Sequence, residues 1–169
     1  MILKPWLNYR IRKAQKDNSA LRISIGYKMA NSFGIVFCND DQSKIEDADK
    51  LITLLKMDGK SVKIIAYERK NGIRHLPYDT FNKENFGFWG SFIGKPIIDF
   101  VNTHHDFLIC LDKQPNTLVR SILANSKAKC RIGRFEENNQ QTFEMLLENK
   151  DKNGQEWVDS MYQYLKIIT

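Results

Sequence analysis

The run FGIVFC at residues 33–38 constrains the fold more than any other stretch of this chain. It carries no charged side chain and no alternation of apolar with polar, the pattern of a strand covered on both faces. The residues just after it define its neighbours. Ser43 and Glu46 stand at capping-box spacing and predict a helix in which Ile45, Ala48, Ile52 and Leu55 recur, with Gly59 as its stop. SVKIIAY at 61–67 is the next strand. A strand, a helix and a second strand in this order favour a parallel pair with a right-handed crossover.

The same logic extends along the chain. DFLICLD (106–112) reads as a further core strand, and Pro115 can open a helix through Leu118, Ile122 and Leu123 to Ser126. KCRIG predicts a short strand stopped by Gly133. TFEMLLE alternates Phe143, Met145 and Leu147 as an edge strand does, and Trp157, Met161, Leu165 and Ile168 have helical spacing. Asn71-Gly72 is a hairpin signal. Residues 81–100, rich in phenylalanine and glycine, read as a short strand over Asn85–Trp89, a turn, and a helix over Pro96–Val101. The expected architecture is one three-layer, Rossmann-like α/β domain over residues 33–169. Its sheet is mostly parallel, and there is no repeat or interdomain linker.

Residues 1–20 form a basic N-terminal helix or arm ahead of that domain. Over 3–17, Leu3, Leu7, Ile11 and Ala14 share a helical face that Trp6 extends, while Tyr9, Arg12, Lys13 and Lys16 fall opposite. The chain has 26 Lys+Arg against 20 Asp+Glu, a net charge of +6. Residues 1–28 alone hold Lys4, Arg10, Arg12, Lys13, Lys16, Arg22 and Lys28 against the single acid Asp17, so the rest of the chain is balanced. An unbalanced cationic segment points to a polyanionic partner: RNA, DNA or an acidic membrane surface.

A length of 169 residues with 42% hydrophobic content suits one domain with a real core. No apolar run is long enough to span a membrane, and the start MILKPWLNYRIRK lacks the apolar region of a secretory signal. Cys38, Cys110 and Cys130 lie in apolar strand-like segments without metal-ligand spacing. They read as free core thiols of a reducing, cytoplasmic setting.

Motifs for chemistry are sparse. The turn after the first strand, CNDDQSK, has no glycine to admit a pyrophosphate, and its aspartates would repel one. GSFIGKP (90–96) has one residue too few between its glycines for a phosphate loop. No nucleotide cofactor and no metal are therefore expected. Asp40 and Asp41, at the functional edge of an open sheet, serve either as helix caps or as a general base or cation ligand. His104-His105-Asp106 reads as a strand-edge pair, with one histidine as general base the alternative. Between Lys113 and Arg134 the chain has six basic residues and no acid, whereas residues 136–159 are acidic. That basic window is either a solvated face or a second phosphate-contacting patch. Phe86-Gly87-Phe88-Trp89-Gly90-Ser91-Phe92 is either a stacking platform for bases or a set of buried aromatics.

Over DFLICLDKQPNTLVRSILANSKAKCRIGRF, residues 106–135, the chain resembles the strand–helix–strand segment in the N-terminal half of lipopolysaccharide heptosyltransferase-like enzymes. It looks still closer to a family of short, uncharacterised Bacteroidota α/β proteins. The first resemblance implies a Rossmann-like half of a two-domain glycosyltransferase. Those enzymes have a glycine-aspartate loop where this chain has Asn39-Asp40-Asp41-Gln42, and they hold the nucleotide-sugar donor mainly on a second domain.

These residues support three functional expectations. The first is a non-enzymatic RNA-binding accessory protein, with the ribosome as large RNA partner. It would contact phosphate through Lys4, Arg10, Arg12, Lys13 and Lys16, then Arg120, Lys127, Lys129, Arg131 and Arg134. The second is a glycosyltransferase-like half-enzyme using Asp40 or Asp41 and needing a partner for its donor. The third is a peripheral membrane protein lying on anionic lipid through Leu3, Trp6, Leu7 and Ile11.

Overall fold

A computed structural model describes residues 4–69, 75–148 and 157–168. Asn71-Gly72 and Leu3 lie outside the described residues. Six strands form one sheet: β1 (Ser32–Cys38), β2 (Ser61–Tyr67), β3 (Asp79–Phe81), β4 (Phe107–Cys110), β5 (Cys130–Arg134) and β6 (Met145–Leu147). Their order is β3-β2-β1-β4-β5-β6, and every pairing is parallel. This is the doubly wound Rossmann order, in which the chain moves one way from β1 to β3 and the other way from β4 to β6. Because β2 and β3 are parallel, no two-residue hairpin joins them.

The five helices are α1 (Lys4–Asp17), α2 (Gln42–Met57), α3 (Lys95–Asn102), α4 (Thr117–Asn125) and α5 (Trp157–Ile167). Side chains alternate along the strands and so feed two cores. Val36, Cys38, Ile65, Leu108 and Cys110 meet α3 and α4 on one face, while Phe33, Ile35, Phe37, Phe107 and Ile109 meet α2 and α5 on the other. Asp106 ties three strand starts together. Its carboxylate accepts from the backbone N–H of Asn31 (2.7 Å) and Ser32 (3.0 Å) and from Lys129 Nζ (2.7 Å).

Local chemistry departs from the sequence reading at three places. Asp41, not Ser43, caps α2: its carboxylate accepts from the Ser43 N–H and hydroxyl, both at 2.9 Å. Gly133 does not stop β5 but lies inside it, paired with Leu146, where a Cβ would come within 2.6 Å of the Phe143 ring. Residues expected as a strand over Asn85–Trp89 instead begin a small hairpin. Phe86 bridges Phe92, Gly87 N–H donates to the Ser91 carbonyl (2.8 Å), and Gly90 N–H donates to the Gly87 carbonyl (2.8 Å). Gly90 has φ +73°, the left-handed conformation such a turn needs after its corner. Phe88 and Trp89 are that corner.

Candidate nucleic-acid interface

α1 is docked, not free. Leu7, Ile11 and Ala14 are buried in the core shared with α4. At the far end Asn18 Nδ2 donates to the Ala124 carbonyl (3.1 Å), and the Arg22 guanidinium reaches the carbonyls of Ser126 and Ala128. Burial of the apolar stripe turns the opposite side outward by helical geometry: Tyr9, Arg12, Lys13 and Lys16 are exposed, as is Lys4. Of the apolar residues a membrane would need, Leu7 and Ile11 are therefore inside the protein.

The 86–92 hairpin tip sits against one flank of this helix. Trp6 Nε1 and an Arg10 Nη both donate to the Trp89 carbonyl, at 3.0 and 3.1 Å. Trp6 meets Trp89 at 5.3 Å between ring centroids and Tyr9 at 5.4 Å, and Phe88 meets Trp89 at 4.7 Å. Interplanar angles of 34° to 88° mean that no ring of this group covers another by parallel stacking. The four rings stay 40% to 55% exposed. Between helix and tip runs a groove of about 530 Å³ whose lining includes Trp6, Tyr9, Arg10, Lys13, Trp89 and Asn125. The basic helix and the aromatic-glycine stretch, distant in sequence, thus form one surface.

The cations of α1 remain largely uncommitted. Lys13 pairs with Asp17 at 2.5 Å, both ends well exposed. Arg10 donates to a neutral carbonyl, not to a carboxylate. Lys4, Arg12 and Lys16 have no ion pair among the described residues.

Most of the second basic window is engaged by partners within the fold. Arg131 is buried in an ion pair with Glu144 (2.5 Å), whose carboxyl falls below the ordinary range because Arg131 and Arg22 outweigh the effect of burial. Arg134 lies on the other side of the sheet, over the Trp157 ring at 4.6 Å and 3.6 Å from Asp47. Lys129 is held by Asp106, Arg120 Nε donates to the Pro115 carbonyl (3.0 Å), and Lys113 pairs with Glu136 (3.1 Å). Lys127 is half-buried. Apart from Lys127, these side chains meet partners at scattered points of the fold.

At the sheet's switch point, the carboxyl ends of β1 and β4 bring Asp40 and Asp112 to a shared cation. Lys44 Nζ stands 2.7 Å from Asp40 and 2.6 Å from the buried Asp112, which also accepts from Cys38 N–H (3.2 Å). Burial raises the Asp112 carboxyl above its ordinary range, and Lys44 offsets part of that rise. Burial also opposes ionisation of Asp40, but Lys44, Cys38 and Arg69 outweigh it and hold its pKa low. Asp41 is engaged as the α2 cap. The helix N-terminus that binds phosphate in other doubly wound folds is closed here by the chain's own carboxylate. Asp112 and Lys44 escaped the sequence reading, although an aspartate ending each of two core strands was the available signal. His105 is buried against Phe100, with ring centroids 5.0 Å apart, and burial lowers its pKa to about 4.

Among the described residues no cluster of histidine, cysteine and carboxylate side chains suits a metal ion, and no helix is long and apolar enough to cross a membrane. No curated protein and no solved structure matches the chain. A match over residues 4–168, covering the helix, the hairpin tip and the sheet alike, shows that the chain belongs to DUF6913, a family of unknown function.

Proposed function

We propose that this chain is an RNA-binding accessory protein, without catalysis of its own, that contacts phosphate through α1 and has the ribosome as its large RNA partner. The observation that carries the reading is the way α1 is docked. Its apolar stripe is inside, so Lys4, Arg10, Arg12, Lys13 and Lys16 stand on a rigid cationic ridge beside four exposed aromatic rings. A polyanion meeting such a ridge competes with one exposed ion pair, Lys13 with Asp17, and with no buried one. Three unpaired, buried cysteines agree with a cytoplasmic setting.

Sedimentation of a native lysate through a sucrose gradient at low and high salt tests this. Comigration with ribosomal particles at low salt, weakened by Lys4→Gln, Arg12→Gln and Lys16→Gln together, is the expected result. Deleting residues 1–17 is a poorer test, because Leu7, Ile11 and Ala14 belong to the core. A protein that remains at the top of the gradient at low salt would sink the proposal.

One observation favours the glycosyltransferase-like half-enzyme as a second reading: the doubly wound strand order places Asp40, Asp41 and Asp112 where such folds bind ligands. Asp40→Asn with Asp41→Asn separates the two. It abolishes activity under the second reading and leaves RNA affinity intact under the first.

A further inference from the structure

We infer that the groove between α1 and the 86–92 hairpin tip takes an unpaired stretch of single-stranded RNA, its bases stacking on Trp89, Phe88, Trp6 and Tyr9. This rests on the RNA-binding reading and names the class of RNA. Two large aromatics at the corner of a tight turn bury little surface for the fold, and exposed apolar clusters of this kind mark interaction sites. The tip is also pinned. Its Trp89 carbonyl receives Trp6 and Arg10, and Gly90 leaves room for Leu7, since a Cβ there would stand 3.0 Å from that side chain. The rings are thus held in place before any ligand arrives, which lowers the ordering cost of stacking.

The chemistry of the walls selects the occupant. Ring faces left open by angled contacts accept planar bases, and every base has a π-face, so stacking tolerates sequence. Arg10 and Lys13 lie on the groove wall, Lys13 beside its ion-pair partner Asp17, and with Lys16, one turn farther on, they offer charge to the backbone between stacked bases. A duplex keeps its base faces stacked on one another and presents phosphates, 2′-hydroxyls and base edges, so it would use the cations and leave the rings idle. A lipid surface would need the apolar stripe of α1, which is buried.

The test uses the full chain with a labelled twelve-nucleotide single strand of mixed sequence, the matching blunt RNA duplex, and anionic phosphatidylserine vesicles. Trp89→Ala and Phe88→Ala are suitable variants because both side chains are half exposed and the anchoring bonds at Trp89 go to its backbone carbonyl. Thermal melts check folding, and Trp89→Tyr keeps an aromatic ring. Expected are tighter binding of the single strand than of the duplex, with quenching of tryptophan emission. Each alanine variant should weaken single-strand binding by roughly 5- to 150-fold. Trp89→Tyr should retain most of it, and duplex affinity and salt dependence should not change. Equal affinity for both RNAs, unmoved by the alanine variants, would overturn the stacking inference while RNA binding stood. Binding to neither RNA would remove both, and binding to vesicles alone, with a blue shift of tryptophan emission, would replace them by a membrane partner.

Discussion

Removing charge at chosen positions separates cations that face a polyanion from cations that hold the fold. Take Arg12→Gln with Lys16→Gln. Both side chains are exposed on the outer side of α1 and neither has an ion pair among the described residues, so the double variant should melt within about 3 °C of the parent. If all five α1 cations neutralise phosphate, the logarithm of affinity for single-stranded RNA falls against the logarithm of salt with a slope of about −3.5, at 0.7 per phosphate. Affinity then drops roughly 100-fold between 50 and 200 mM salt. The double variant should read about −2.1 and lose only about 20-fold over the same range. Arg131→Gln and Arg134→Gln provide the contrast, since neither guanidinium joins the α1 ridge. Their slopes should match the parent. Arg131→Gln should nonetheless cost about 3 kcal/mol by leaving the Glu144 carboxylate with the backbone N–H of residue 131 (2.8 Å) and Arg22 at 3.8 Å in place of the paired guanidinium, an unfolding shift of roughly 6–12 °C. Fluorescence anisotropy across a salt series, with calorimetric melts, measures all of this. A double variant whose slope stays at the parental value, or an Arg134→Gln whose slope flattens, would refute the assignment of charges.

Three other substitutions probe the scaffold. His105 has a folded pKa of about 4, below the ordinary imidazole value, so the unfolded chain takes the proton first. Its contribution is complete above the ordinary value and falls as pH drops, by about 2 kcal/mol between pH 7 and pH 5. Urea midpoints at those two pH values should show the loss in the parent and much less of it in His105→Gln; equal losses would contradict the assignment. Gly133→Ala brings a Cβ to 2.6 Å from the Phe143 ring and should destabilise by about 1–3 kcal/mol, with partial relief from Phe143→Leu in the double variant. Asp41→Ala removes the α2 cap and should cost about 1 kcal/mol without changing RNA affinity. An Asp41→Ala protein of unaltered stability but impaired RNA binding would place the interface at the switch point instead.

The strands β1, β2 and β4 and the helices α2 and α4 were legible because their signals are local: unbroken apolar runs, caps and stop residues within a few positions. Other features depended on who meets whom. Gly133 looks like a terminator until Phe143, ten residues later, is found across it. Ser43 and Glu46 have the spacing of a capping box, yet Asp41 begins the helix two residues earlier and takes the Ser43 N–H itself. The six cations between Lys113 and Arg134 count as a patch in one dimension. In three, Arg131 closes on Glu144 from the acidic stretch 136–159, and Arg134 crosses to Asp47 on the opposite layer. The α1 charges escaped this fate because their helix places its apolar stripe against α4 and packs little else against its outer side. Phe88 and Trp89 misled in the other direction, since β-formers at a turn corner imitate a strand.

The energetics of the two surfaces explain why the added helix is the better place to seek a polyanion. A phosphate entering at the switch point would meet Asp40 and the Asp41 cap, compete for a Ser43 N–H already bonded, and draw Lys44 away from a buried Asp112. Stripping a buried carboxylate of its partner costs on the order of 3–5 kcal/mol before any contact with phosphate forms. At α1, Lys4, Arg12 and Lys16 are exposed without an ion pair among the described residues, and the loss on binding there is mainly side-chain freedom, offset by release of counterions from the nucleic acid. The acids that give the Rossmann edge its look of an active site thereby make it a poor anion site. Under the RNA-binding proposal, the sheet's part is to hold α1 and the Phe88-Trp89 tip at fixed distance and orientation. Any loss of RNA binding from a core substitution should then track the displacement of that pair, read from Trp6 and Trp89 emission once the buried Trp157 is accounted for.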